Sequence, residues 1–258
     1  MGSAQPVHDE SFGPRLSRHW ALLACDLDGT LLTIGGRPVD GVPAALRALT
    51  GSGLELVVCT GRALQDARRL AAPLTVLPGA YVCYQGAVVV DEVKGQQLLN
   101  VTIPPPLARE VVRDALSRGF SVTAYIGGER REIAGPLDSC DAVTRLILSG
   151  EDAIGASVGS AIVARWRERL RIEPGGRGVL DVLPRGVDKG TALGVVALSR
   201  GVDAERIAAF GDADSDIPLL VAAGRRVAVG DPSPGLREVA DEVVCQSQLA
   251  EYLLTLIE

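Results

Sequence analysis

Aromatic residues make up only 3% of this 258-residue chain, and methionine occurs once. So few rings leave no stacking platform, and Trp20, Trp166 and the four tyrosines are read as packing residues. The two histidines, His8 and His19, lie in or beside a polar N-terminal stretch, which sets histidine catalysis aside. Five cysteines (Cys25, Cys59, Cys83, Cys140 and Cys245) are scattered without a CxxC pair. That pattern argues for small buried residues in a reducing cytoplasm rather than disulfides or metal ligands. Basic residues are not in excess: the net charge is −6, with no patch to hold nucleic acid or an acidic membrane. No apolar run approaches the ~18–20 residues of a transmembrane helix. Residues 1–19 lack an apolar segment and are expected to be a flexible lead-in rather than a signal peptide. Repeats and low-complexity tracts are also missing.

What is present is ordinary for a soluble globular protein, with 47% hydrophobic and 22% charged residues. The length allows one large core or two domains. Apolar strand-like runs at 21–26 and 54–59 alternate with helical periodicity, first in a short helix carrying Ala45, Leu46 and Leu49 and ended by Gly51 and Gly53, then over 64–71, and Asp40 is placed to cap the first helix. Buried strands alternating with helices predict a doubly wound, mostly parallel α/β sheet with helices on both faces. The pattern changes near Gly86. Residues 86–181 read as an inserted, smaller α+β domain, with strands at 87–91, 96–103, 121–126, 143–148 and 179–183. Helices are expected after Pro104 and over 153–170. Alternation returns at 182–258, so residues 20–85 and 182–258 together form the expected core.

Charge is concentrated where apolar runs stop. Asp26 and Asp28 follow the first strand, and Leu27 between them keeps both acids on one side of an extended chain. Thr60, Gly61 and Arg62 follow the second strand, Lys189 opens a helix, and Asp212 and Asp216 follow a strand at 206–210. In an open parallel sheet such sites converge on the carboxyl edge even when they are far apart in sequence. Carboxylates, a hydroxyl and an ammonium together suit a phosphate group and a divalent cation. Hard oxygens hold Mg2+, the cations offset phosphate charge, and a free carboxylate can attack phosphorus.

In this order the motifs resemble the haloacid dehalogenase superfamily of phosphohydrolases, in particular its Cof-type subclass IIB. Asp26-Leu27-Asp28-Gly29-Thr30 matches the first motif, Thr60-Gly61-Arg62 ends the second, Lys189 is the third, and Gly211-Asp212-Ala213-Asp214-Ser215-Asp216 is the fourth. The resemblance implies a Rossmann-like core with an inserted cap that reads the substrate. It also implies that Asp26 is a nucleophile forming an aspartyl-phosphate and that Asp28 is the general acid and base. Thr60 and Lys189 would bind phosphoryl oxygens, with Gly61 and Arg62 grouped at the same site. Mg2+ would be held by Asp26, the Asp28 carbonyl and Asp212, while Asp216 would support the metal or orient Lys189.

The expected activity is therefore Mg2+-dependent hydrolysis of a small phosphorylated metabolite, a sugar phosphate or a related compound. The expected protein is a cytoplasmic monomer or homodimer without a nucleic-acid or membrane partner. A sugar phosphomutase and a non-catalytic phosphate-binding module are the alternatives. Two residues depart from the family pattern: Ser215 and Gln85 each stand where asparagine is usual. Arg62 is left with two readings, substrate contact or pairing with a helix acid. Glu129, Arg130 and Arg131 are read as a solvated hairpin tip or as a loop reaching the substrate.

Overall fold

The computed structural model describes residues 20–138, 142–150, 156–175 and 178–257. The expected tail at 1–19, Cys140, and positions 153–155 of the expected helix lie outside them. The chain opens with β1 (Leu22–Cys25), α1 (Val42–Gly51), β2 (Glu55–Cys59), α2 (Leu64–Ala71), β3 (Ala80–Cys83), β4 (Val88–Asp91) and β5 (Gln96–Asn100). Then come α3 (Pro105–Ser117), β6 (Ser121–Ile126), β7 (Glu129–Ile133), β8 (Val143–Ser149), α4 (Ala156–Trp166), β9 (Leu170–Pro174) and β10 (Val179–Pro184). It closes with α5 (Lys189–Arg200), β11 (Ile207–Gly211), α6 (Ile217–Val221), β12 (Arg225–Val229), α7 (Pro234–Val239), β13 (Glu242–Val244) and α8 (Leu249–Leu254).

Eight strands form the larger sheet, in the order β13-β12-β11-β1-β2-β3-β4-β5. From β13 to β3 every pairing is parallel, whereas β4 and β5 add on antiparallel. The apolar runs of β1, β2 and β11 are explained by burial on both faces. Leu23, Leu56 and Phe210 pack with α1, α2 and α8 on one side. Leu22, Val57 and Ala209 pack with α5, α6 and α7 on the other. Each such Leu or Phe contributes about 1.5–3 kcal/mol relative to exposure. Cys25, Cys59 and Cys83 end β1, β2 and β3, all free and buried. No helix among the described residues is long and apolar enough to cross a membrane.

The second sheet has five strands in the order β7-β6-β8-β10-β9, all antiparallel. One face carries Val122, Ala124, Leu146, Leu148 and Val182 against α3 and α4. Strand alternation sends Tyr125, Arg145 and Asp181 to the opposite face. There Tyr125 and Leu183 join the core of the larger sheet, so this face looks onto the first unit.

Several expectations need correcting. Strands β4 and β5 belong to the larger sheet, so the chain leaves that sheet after Asn100 rather than at Gly86. Val88–Asp91 is buried on both faces and pairs with β3, which an outlying domain cannot provide. The return falls after Pro184, because β10 pairs wholly within the second sheet. Asp40 does not cap α1: Gly41, at φ 78°, takes the N-cap position without a side-chain bond. The helix expected to reach residue 170 stops at Trp166, and Leu170 instead begins β9.

Helix α5 is fixed at its start by a capping box, in which Asp188 accepts from the Thr191 backbone N–H at 2.7 Å. Gly190 then allows close packing. A Cβ there would lie 2.1 Å from the Pro218 carbonyl oxygen, whereas one on Gly194 would meet nothing within 4 Å. Gly190→Ala is expected to destabilise by about 1–3 kcal/mol through overpacking. Gly194→Ala is expected to stabilise by about 0.5–1 kcal/mol through backbone entropy. Urea midpoints of the two variants, with unchanged slopes, check the contrast.

Candidate active site

Asp26 leaves β1 with its backbone N–H still donating to the Phe210 carbonyl at 3.0 Å. That bond ties the turn to β11, the strand whose end carries Asp212. Leu27 is fully buried and anchors the turn between the two acids. Gly29 follows with φ 89°, and a Cβ there would lie 2.2 Å from Asp212 Oδ2. The sequence thus uses a residue without a side chain where two loops press together.

The centre of the site is Lys189. Its ammonium donates to Asp26 Oδ1 and to Asp216 Oδ1, each at 2.6 Å, and the lysine is 2% exposed. The other Asp26 oxygen, Oδ2, takes no hydrogen bond from a described residue. Asp216 is fully engaged: its Oδ2 accepts from the backbone N–H groups of Asp212 (3.1 Å) and Ala213 (3.2 Å). It therefore orients Lys189 and shapes the loop at once. Carboxylate oxygens of Asp26, Asp212 and Asp216 lie within 4.8 Å of one another. Thr30 Oγ1 donates to Asp212 Oδ1 at 3.3 Å.

Three acids around one ammonium leave excess negative charge. Burial pushes Asp26 up to about 8, with Asp216 adding to the rise and Lys189 opposing it. Burial, then Asp216, pushes Asp212 up to about 6. Burial lowers the Lys189 pKa, but Asp216 and Asp26 outweigh it and hold the ammonium charged. A set of hard carboxylate oxygens that repel one another fits a divalent cation such as Mg2+.

Asp28 stands apart from this cluster. Arg62 takes both of its oxygens, with Nε to Oδ2 at 2.6 Å and Nη2 to Oδ1 at 2.8 Å. The two side chains are 43% and 38% exposed, so the pair is worth no more than about 1 kcal/mol. Of the two readings of Arg62, pairing with an acid describes this structure, and that acid is Asp28 rather than a helix residue. Thr60 is buried, and its Oγ1 accepts the Arg62 backbone N–H at 3.2 Å.

All eight sequence-predicted residues, Asp26, Asp28, Thr60, Gly61, Arg62, Lys189, Asp212 and Asp216, line one cleft of about 530 Å3. Ser215 and Gln85 line it too. Asp214 is instead bonded by the Ser233 hydroxyl. Glu129, Arg130 and Arg131 sit on exposed β7, pair along their own strand, and do not line the cleft.

Sequence reasoning missed Arg145, which reaches the cleft from β8. Its guanidinium is held by Asp181 Oδ1 and Oδ2 (2.6 Å each from Nη2) and donates from Nη1 to the Gly61 carbonyl at 3.0 Å. It also lies 5.8 Å from the Tyr125 ring centroid. The available signal was a lone arginine in the apolar run Val143–Ser149. Arg171 of β9 was missed as well; it donates to the Val187 carbonyl at 2.6 Å and the Gln85 carbonyl at 3.2 Å. Tyr84 and Gln85 both adopt left-handed backbone, at φ 51° and 54°. Gln85 Oε1 is buried without a hydrogen-bond partner.

A raised carboxyl pKa destabilises the fold at high pH. Between the unfolded value near 4 and the folded value, the native state binds more protons, so stability falls as pH rises. For Asp212 that window closes near pH 6. In metal-free buffer at pH 7.5, Asp212→Asn is expected to gain on the order of 1 kcal/mol, allowing for solvent screening. The gain should vanish near pH 4. Urea unfolding at the two pH values checks this.

Comparison with known proteins agrees with this layout. Residues 23–131 and 140–248 match the model of the haloacid dehalogenase-like hydrolases. The chain is 28% identical to an HMP-PP phosphatase of Serratia proteamaculans, over 91% of this chain and 94% of that protein. A solved phosphatase of the haloalkanoate enzyme superfamily from Bacteroides thetaiotaomicron superposes with a TM-score of 0.79 at 25% identity, covering 96% of this chain and 99% of that one. A Thermotoga maritima protein gives a TM-score of 0.81 at 21% identity, covering 92% and 97%. Family match, sheet order and gathered motifs agree: the chain belongs to the haloacid dehalogenase-like hydrolases.

Proposed function

We propose that this enzyme is a Mg2+-dependent phosphomonoesterase of small phosphorylated metabolites, sugar phosphates or related compounds, working through an aspartyl-phosphate on Asp26. The observation that carries the reading is the buried Lys189 between Asp26 and Asp216, with Asp212 completing the carboxylate cluster. Asp26 and Asp212 side chains, with the Asp28 carbonyl, would hold Mg2+, and Asp216 supports them. When bound, the cation offsets phosphate charge and favours ionised carboxylates.

The steps of this chain's own residues follow. Asp26 Oδ2 attacks phosphorus, and the bond from phosphorus to the leaving oxygen breaks. Asp28 gives its proton to that oxygen, and the alcohol departs. Asp28 then takes a proton from water, which attacks phosphorus and breaks the bond to Asp26. Inorganic phosphate leaves, and both acids return to their starting states. Thr60 and Lys189 hold phosphoryl oxygens throughout, since phosphoryl transfer needs positioning and charge stabilisation above all.

The second sheet, with α3 and α4, serves as the cap, and Arg145 is its contribution to the cleft wall. Gln85 lines the same cleft, at the side where a leaving group would lie. The Serratia relative is named a phosphatase, which supports the reaction class. Free cysteines suit a cytoplasmic enzyme. A purely binding module has no use for an acid beside the nucleophile, and no described residue favours the mutase.

Release of phosphate from p-nitrophenyl phosphate in Mg2+, and its loss on adding EDTA, is the expected outcome. Asp26→Asn should lower kcat/KM by about 10^4-fold or more. Its thermal midpoint in metal-free buffer should hold or rise, because a repelling charge is removed while Asp216 still partners Lys189. Normal turnover by Asp26→Asn would remove the nucleophile from the mechanism.

A further inference from the structure

Among the described residues lining the cleft, three are cations, and they differ in what holds them. Lys189 is buried between Asp26 and Asp216. Arg145 is held by Asp181 and the Gly61 carbonyl, neither of which takes part in the chemistry. Arg62 is paired with the acid that must reach the leaving oxygen. Both Asp28 oxygens are bonded to Arg62, so Asp28 cannot turn toward a leaving oxygen and keep that fork intact. The pair is partly exposed and open to exchange. Turning Asp28 inward would leave a guanidinium without a carboxylate on the cleft wall.

We infer that the natural substrate supplies the replacement: its leaving group carries a second anionic group, a carboxylate or a phosphate, that takes Asp28's place on Arg62. Arg62 is then a specificity-determining residue, and binding of the right substrate releases the acid it requires. The planar fork now spanning Asp28 fits either group bidentately. The inference rests on the phosphatase reading above. It narrows the substrate from any small phosphate ester to one with a charged tail. It also gives the exposed half of the motif Thr60-Gly61-Arg62 a task distinct from phosphoryl binding.

Two matched substrate pairs test it by kcat/KM in Mg2+. Glycerol 3-phosphate against 3-phosphoglycerate probes a carboxylate, and fructose 6-phosphate against fructose 1,6-bisphosphate probes a phosphate. The wild-type enzyme should favour the anion-bearing member of one pair by about tenfold or more, and the pair that responds identifies the group. Arg62→Gln should bring that ratio to within about twofold, while Arg62→Lys, which keeps charge without the fork, should retain an intermediate preference. An unchanged ratio in Arg62→Gln would overturn the inference. So would a wild-type enzyme without preference in either pair. If that enzyme still cleaves p-nitrophenyl phosphate, the phosphatase reading survives; release from none of the five probes removes both.

Discussion

A single buried ammonium organises this molecule. Lys189 opens α5, yet its bonds reach the end of β1 through Asp26 and the loop after β11 through Asp216. Three segments far apart in sequence are thereby fixed to one another within hydrogen-bond distance. Burying such charges is costly, and leaving a buried charge with no partner at all commonly costs about 3–5 kcal/mol. The cost is tolerable because the lysine and Asp216 are both held by several bonds. Asp216 accepts from Lys189 and two backbone N–H groups, and the capping box of α5 fixes where the lysine begins. Close packing at Gly29 and Gly190 brings the segments near enough to meet.

The junction remains under-neutralised. Asp26, Asp212 and Asp216 crowd one ammonium, and both Asp26 and Asp212 are driven toward the protonated form. A fold that needed only rigidity would be better served by apolar residues of similar volume. Residual repulsion at a sheet edge is what the proposed cation and phosphoryl site would require, and it sits where open α/β sheets place their ligands. Stability and chemistry thus make opposite demands on the same acids.

Much of this was legible in the sequence. Apolar runs that end in charge located β1, β2 and β11, because strands buried on both faces must be apolar until they emerge at the edge. The eight motif residues fell into one cleft for the same reason. Harder to read were elements that are short or that follow a helix without a break in pattern. Strand β3 is four residues long, and β9 begins with Leu170 on what looked like a continuing helix. The place where the chain leaves the larger sheet was misjudged because β4 and β5 join it antiparallel, which breaks the strand–helix alternation before the sheet ends. Arg145 left only a weak signal in the sequence because its place in the cleft depends on strand parity and on Asp181, 36 residues away. Such pairings are set by tertiary register, which local periodicity does not encode.

The three cysteines at the strand ends have a practical consequence. Cys25, Cys59 and Cys83 each immediately precede a residue of the cleft or its adjoining turn: Asp26, Thr60 and Tyr84. Burial raises all three thiols well above their ordinary range, Cys83 to about 12. Shielded thiols of this kind resist alkylation, whereas Cys245 is exposed. Labelling at those three sulfurs would therefore report only those openings that expose the central strands of the larger sheet.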